Sequence, residues 1–500
     1  MDRILAGIET EYGLFVEGRG AEDQVDDAMA LVRSYPGERF VGWDYRYESP
    51  RSDLRGFAVD RLQFDPADAK FDKGKARGKD WEVRSDRILA NGARFYNDHG
   101  HPEYSTPECW STRELALHDK AGELAVLAAA RAFSDEIGRE VRVYKNNTDR
   151  HGASYGTHES YLVPRALGFE RTYRAVLPML IARQVLCGAG KVGAEMGTQC
   201  AYQISQRADF LVEPFNIETL YRRPIFNTRD EPHASSESWM RLHVICGDAN
   251  LITSATARKV GLVKLALQLE QIGMAPVWRF KDPVSAFQSV SRDEAYEFKI
   301  EVQGGSWTTA GEMLESYFSA AEQAFGLTAS PGGEGPEQEA HALIWECREL
   351  LRDLHECPER FAYSVDWAAK KAMLEQFMAS EGSDWRDPSL GSFDLEYHNI
   401  DRVEGLAAAL KDMGQAEPDP EEFELRQLLS GVREDTRARA RGVAVRRFGE
   451  HIVTAGWRSI TFNIDGRETE VELPPDASYP AQLDDSPDVG TFIQSLGAIR

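Results

Sequence analysis

Apolar and polar residues alternate along residues 4–13, which predicts an opening strand with Ile8, Thr10 and Tyr12 on one face and Glu9 and Glu11 on the other. Two carboxylates therefore share one side of a strand. The same period of two runs through residues 91–98, where Arg94, Tyr96 and Asp98 fall on one face and Ala93, Phe95 and Asn97 on the other. A strand meant only to fill a core would carry apolar groups there, although an exposed edge guarded by charges gives the same pattern. Helical spacing of Leu115, Leu117, Ala121, Leu124, Ala125 and Ala128 predicts a helix over 112–138, and a shorter helix is expected near 23–34. Residues 141–146 and 155–163 read as strands, and 169–188 as a helix. Its glycine-rich tail at 187–193 lacks phosphate-loop spacing and is expected to be a C-cap and turn. Further strands are predicted around 199–206, near Ile225 and over 242–247, with helices over 255–271 and 309–326.

Between the first strand and the Asn91 segment, the stretch of about 38–80 is rich in Pro, Gly, Asp and Arg and ends in a basic cluster at 70–79. It reads as a long insertion, since unstructured stretches of this length in compact proteins usually carry function. The acidic, proline-bearing residues 415–422 are the best linker, which divides the chain into a large unit, 1–423, and a small C-terminal unit, 424–500. The small unit is expected to hold a basic helix over 436–451 and a strand pair over 457–471.

With 500 residues, 42% of them hydrophobic, the chain can bury a large core. Its 58 basic and 82 acidic residues give a net charge of -24, which argues against general binding of nucleic acid or anionic membranes. The six cysteines form no CxxC pair and read as reduced thiols. The N-terminus has no apolar run of the signal-peptide kind and no stretch approaches a membrane span, so a cytoplasmic protein is expected.

Glu9, Glu11, Asp98 and Glu103 would converge if their strands are neighbours, and an oxygen-rich cluster of this kind suits Mg2+. Solvated acids on a strand face are the plain alternative. Arg94 beside such a cluster is what a positioned phosphoryl group requires. His158 is a possible further ligand, and Arg229 and Arg241 are placed to meet nucleotide phosphates unless they pair with Asp230 and Asp248. No GxSxG or HExxH motif is present.

The blocks Gly7-Ile-Glu-Thr-Glu-Tyr-Gly13, Asn91-Gly-Ala-Arg94, His101-Pro-Glu-Tyr-Ser105, Lys145-Asn-Asn-Thr-Asp149, Ser205-Gln-Arg207, Asn227-Thr-Arg-Asp-Glu-Pro-His233 and Arg241-Leu-His-Val-Ile245 together resemble the Pup ligase and depupylase family. That family is related to glutamine synthetase and the carboxylate-amine ligases. The likeness runs from the N-terminus to Trp457. It implies an α+β fold: a large glutamine-synthetase-like domain whose curved antiparallel sheet forms a cradle for ATP and Mg2+, with helices behind it and a small C-terminal domain closing the nucleotide end. Residues 42–57 resemble a depupylase loop absent from the ligases, with Trp43-Asp-Tyr45 and Glu48-Ser-Pro50 as its recurring blocks. The spacing from Asp98 to Glu103 is also that of the depupylases. The chain departs from the family at Ser160, where asparagine is usual, and over 63–79, which matches nothing recognisable.

By this resemblance Glu9, Tyr96 and Glu103 are magnesium ligands with Glu11 and His158 as further candidates, while Arg94, Thr106 and Trp457 contact ATP. Asp98 is implied as the catalytic group, either as nucleophile or as general base. The implied substrate is Pup, the prokaryotic ubiquitin-like protein, cut at its C-terminal glutamine amide or at the isopeptide bond to a target lysine. Arg207 is the candidate contact to the acidic Pup, with an ion pair to Asp209 as the alternative. A monomer is expected. Pup ligation, or binding without turnover, are the competing readings.

Overall fold

The alternation at the N-terminus becomes strand β1 (Ala6–Glu11) of a computed structural model that describes residues 3–63, 80–150, 152–195, 200–326 and 335–499. Among these residues β1 is central in a nine-stranded sheet. From one edge to the other the strands are β7 (Glu213–Asn216), β8 (Pro224–Asn227), β9 (Trp239–Val244), β6 (Thr157–Pro164), β1, β5 (His101–Ser105), β4 (Arg94–Asp98), β3 (Arg87–Leu89) and β2 (Arg39–Val41). Neighbours run antiparallel except β7 and β8, which are parallel. The fully antiparallel expectation is corrected at that edge, where the Asn227 amide donates to the carbonyls of Ile217 and Glu218 and so holds the returning loop against β8.

One face of the sheet is covered by helices. Ile4, Ile8, Tyr161, Val163, Leu242 and Val244 pack against α4 (Phe169–Ala182), α5 (Thr253–Gln271) and α6 (Ala310–Phe325). Tyr12, Phe95 and Tyr104 pack against α1 (Gln24–Arg33) and α3 (Thr112–Ile137), and the short α2 (Asp80–Arg84) lies between them in the chain. α3 begins where the Ser111 hydroxyl accepts from the amides of Arg113 and Glu114 and ends at Gly138, whose φ of 63° suits glycine. The helix expected over 169–188 breaks at Arg183, whose guanidinium turns inward to bind Glu159 at 2.6 and 2.7 Å.

Beneath β1 lies a buried run of charges. Thr10 donates to Asp119 at 2.8 Å, Lys145 bridges Asp119 and Glu123 at 2.7 and 2.9 Å, and Lys120 joins Glu123 to Asp419. Every carboxylate in it faces an ammonium, which is what a buried charge requires.

The C-terminal sheet consists of β10 (Ile452–Ala455), β11 (Ser459–Ile464) and β12 (Arg467–Glu472). With α8 (Arg437–Phe448) and α9 (Val489–Gly497) it shares a core of Val443, Phe448, Ile460, Phe462, Tyr479 and Phe492, which Trp43 and Ile88 enter. The preceding helix α7 (Glu422–Ser430) packs instead on α3 through Leu425 and Leu428. Within the inserted segment, β2 joins the main sheet and residues 42–58 strap across its open face. The strap is tied to the C-terminal sheet by the Asp44 amide on Ala455 O and to the residue that follows β8 by the Leu54 amide on Thr228 O. The cluster at 70–79 lies outside the described residues. No helix among the described residues is long and apolar enough to cross a membrane.

Candidate active site

Because β1, β5 and β4 are consecutive in the sheet, register alone brings the acidic positions together. Glu11 lies opposite Glu103, Tyr96 opposite Glu103 on its other side, and Asp98 opposite His101. The Tyr96 hydroxyl donates to Glu103 at 2.7 Å, and oxygens of Glu11, Asp98 and Glu103 lie within 4.8 Å of one another. Burial, and then the charges of Asp98, Glu11 and Glu9, raise Glu103 well above the usual carboxylate range. A cation between these oxygens would remove both penalties.

Glu9 faces His158 on the neighbouring strand β6. One of its oxygens accepts from Arg241 at 2.7 Å, while the other is 3.6 Å from His158 Nδ1 and 3.8 Å from His243 Nε2. Burial alone would raise this carboxyl, but Arg241 and the two imidazoles hold it well below its ordinary value. Both nitrogens of His243 are buried without a hydrogen-bond partner, and burial keeps the ring neutral. A neutral imidazole with free lone-pair capacity beside a carboxylate and a second imidazole is a fitting donor set for a divalent cation. His243 was missed as a ligand in the sequence, although it follows Arg241 at the strand period, which was the signal that could have found it.

Arg94 is fixed by Asp86 at 2.7 Å and approached by Glu48 of the strap at 3.5 Å, and it lies 4.1 Å over the Trp43 ring and 4.0 Å over the Tyr96 ring. Arg241 also donates to Ser160 at 2.8 Å, so the unusual serine has a definite partner. Neither Arg229 nor Arg241 pairs with the local acids weighed for it: Asp230 binds Arg165, and Asp248 accepts from Ser205 and the amides of Ala189 and Gln206. Arg229 donates to Thr219 and leaves its buried Nε unpartnered. Arg207 likewise does not meet Asp209, which binds Lys191 and Arg292 instead. It donates to Tyr155 O at 2.6 Å, and burial together with the charge of Arg223 lowers it to about 10.

Glu9, Glu11, Glu48, Arg94, Tyr96, Asp98, Glu103, His158, Arg207, Arg229, Arg241 and His243 line one cavity of about 360 Å³, which Arg84, His99, Glu231 and Trp457 also border. A smaller recess adjoins it, bounded by Gly7, Thr106, Pro232, His233, Arg437 and Trp457. Thr106 accepts from the Ile8 amide at 3.0 Å, and Trp457 is held under the Arg441 guanidinium at 4.8 Å. The sequence-predicted residues thus divide between two connected spaces, with Thr106 in the recess, Arg94 and Asp98 in the main cavity, and Trp457 at their junction. Arg84 and His99 were not singled out beforehand, and Glu48 was named only as part of a recurring block of the loop, without a role in the site. Glu48 and Arg84 enter from the insertion and its flank, whose position no local pattern encodes.

Comparison with known proteins bears on this geometry. The protein family described as Pup-ligase protein matches residues 3–461. A protein of Acidothermus cellulolyticus named depupylase is 37% identical over 484 residues, covering 95% of this chain and 93% of that relative. A Pup deamidase/depupylase of Mycolicibacterium smegmatis is 35% identical over 483 residues, covering 95% of this chain and 94% of its own length. The solved structure of the Pup ligase PafA in complex with ADP superposes with a TM-score of 0.72 at 29% identity, covering 80% of this chain and 89% of that one. An α+β fold shared with a Pup ligase, and a family match spanning the cradle and its strap, lead to one conclusion: this chain belongs to the Pup-ligase protein family.

Proposed function

We propose that this protein is an ATP- and Mg2+-dependent amidohydrolase that deamidates the C-terminal glutamine of Pup and cleaves the isopeptide bond between Pup and lysine. The observation that carries the reading is the position of Asp98. It stands at the end of β4, beside the Glu11 and Glu103 carboxylates, in a cavity that also presents arginines for phosphate and for an acidic substrate. Relatives named depupylase and Pup deamidase/depupylase share the length of the chain.

In this reading Glu9, Glu11, Tyr96, Glu103, His158 and His243 hold magnesium, and Arg94, Arg229, Arg241, Thr106 and Trp457 hold ATP. When bound at these residues, magnesium and the nucleotide phosphates would supply positive charge and polarisation for the amide carbonyl. Hydrolysis of the amide needs no energy from ATP. Asp98 carries the reaction by attacking the carbonyl carbon or by taking a proton from water. His99 and Arg84, at 3.0 and 3.8 Å, support it as the carboxylate that either role requires. Arg207 orients the acidic substrate. The protein is expected to act in the cytoplasm as a monomer.

Incubation with Pup ending in glutamine, magnesium and a slowly hydrolysed ATP analogue tests the reading. Release of ammonia supports it, whereas conjugation of Pup to lysine in step with ATP consumption identifies a ligase. Asp98→Asn is expected to abolish cleavage and leave nucleotide binding within about threefold. Retained turnover, once back-conversion to aspartate is excluded, removes Asp98 from the mechanism.

A further inference from the structure

Burying a guanidinium is costly unless an anion accompanies it. Outside the main cavity, the buried arginines Arg183, Arg258, Arg437 and Arg441 obey this rule, pairing with Glu159, Glu346 and, for the last two, Glu108. Arg87 of β3 does not. It is 8% exposed, its terminal nitrogen donates only to the carbonyls of Ser85 and Asp86 at 2.8 and 3.0 Å, and its Nε is buried with no partner.

Its neighbours add charge instead of cancelling it. Register sets Val41 of β2 opposite Arg87 and Arg39 opposite Leu89, so Arg39 and Arg87 lie diagonally on one face. Leu89 packs that face toward α1 and α3, away from the cradle. Arg33, the last residue of α1, reaches the same place: its Nε donates to Ser85 Oγ at 3.0 Å, and the carbonyl of that serine accepts from Arg87. Ser85 has φ 55°, a conformation that serine rarely adopts, and in it the residue serves both arginines. Arg33 and Arg39 are exposed, and their other bonds go to the carbonyls of Glu82 at 2.9 Å and Gly37 at 2.8 Å. Among the described residues no carboxylate pairs with any of the three guanidiniums. Burial, and then the charges of Arg39 and Arg33, lower Arg87 to about 10, while Asp86, whose charge opposes this, is already bound by Arg94 and the Tyr45 hydroxyl on the cradle side.

We infer that Arg33, Arg39 and Arg87 form a binding site for a phosphate-class oxyanion on the helix-covered side of the sheet, separate from the active-site cavity. Three guanidiniums call for more negative charge than one carboxylate brings, and a tetrahedral dianion accepts from several of them at once. The exposed Arg33 and Arg39 supply the direct bonds. The charge of the ligand compensates the buried Arg87, which the fold otherwise leaves without a counter-ion. The free ion and a phosphorylated side chain share this chemistry.

The experiment titrates the full chain calorimetrically with inorganic phosphate and, in parallel, with phosphoserine, at constant ionic strength. Magnesium and a slowly hydrolysed ATP analogue are present throughout, so that the arginines of the cavity are engaged. Wild type is expected to bind phosphate or phosphoserine at one saturable site, and the tighter of the two identifies the source. Arg39→Gln and Arg87→Gln should each weaken that binding about tenfold or more, as loss of a charge-assisted bond does. Arg39 is exposed, so Arg39→Gln decides the matter even where Arg87→Gln lowers the yield of folded protein. The site is overturned if neither ligand gives saturable heat, if wild type and Arg39→Gln bind equally, or if a hexaglutamate peptide binds there and phosphate and phosphoserine do not.

Discussion

Trp43 and Trp457 meet edge to face, with 5.0 Å between ring centroids and 73° between planes, so the inserted strap and the C-terminal sheet close the same end of the cradle. The Trp43 indole also donates to Glu48 at 2.8 Å, and Glu48 in turn approaches Arg94. One buried aromatic therefore organises a side chain of the cavity from outside it. Trp43→Ala is expected to destabilise the fold by about 3 kcal/mol, as removal of a buried tryptophan does. Because Trp457 loses its edge contact, nucleotide affinity should fall about three- to tenfold. Denaturant midpoints and fluorescent-nucleotide titration check the two effects separately.

His243 offers a test of the cation site that does not depend on turnover. A buried imidazole with neither nitrogen bonded is a liability in the absence of a cation. His243→Phe should therefore leave thermal stability in chelator unchanged or higher, while the stabilisation that wild type gains from Mg2+ shrinks with an affinity loss of about 10- to 100-fold. Burial and the neighbouring carboxylates push Glu103 above the usual carboxylate range, and a cation favours its ionised form, so affinity should rise with pH. Calorimetry in two buffers of different ionisation enthalpy reads the released proton, and a pH-independent affinity would contradict the shared site.

Beneath the floor, Lys145→Met removes the ammonium shared by Asp119 and Glu123 and leaves Asp119 uncompensated. The expected cost is about 3–5 kcal/mol, the range for breaking a buried pair. Since Thr10 bonds Asp119 from between Glu9 and Glu11 on β1, the variant should also weaken Mg2+ binding in whatever fraction remains folded. Urea unfolding and cation titration measure both.

His118 predicts the acid limb of stability. Burial, and then the charge of Arg433, lower its pKa to about 3, below the ordinary histidine value near 6.5. Between those values the unfolded chain binds a proton that the native state refuses, so stability is complete above about pH 6.5 and declines as pH falls. Acidification from pH 7 to 4.5 should remove about 2–3 kcal/mol through this group, and His118→Asn should flatten the decline by a comparable amount. Denaturant midpoints at the two pH values decide it.

Much of the site was legible because its signals are local. Strand alternation put Glu9 and Glu11 on one face and Arg94, Tyr96 and Asp98 on another, and the folded strands keep both assignments. Helix α3 could be bounded by Ser111 and Gly138, which satisfy its terminal backbone groups without outside help. The break at Arg183 and the parallel edge pair were not legible. Each depends on a distant partner, Glu159 in one case and the returning loop held by Asn227 in the other.

The chain alone determined which residue types face which side of each central strand, because side-chain direction follows from the two-residue period of extended backbone. Tertiary structure decided which carboxylates actually meet. Pairing Glu11 with Glu103 and Glu9 with His158 depends on strand order and register, set by burial of Ile8, Tyr104 and Tyr161 beneath the sheet and not by the polar residues themselves. Tertiary structure alone also put Trp43 against Trp457, two residues more than four hundred positions apart, since the apolar area they bury exists only when the insertion and the C-terminal sheet fold onto the same end of the cradle.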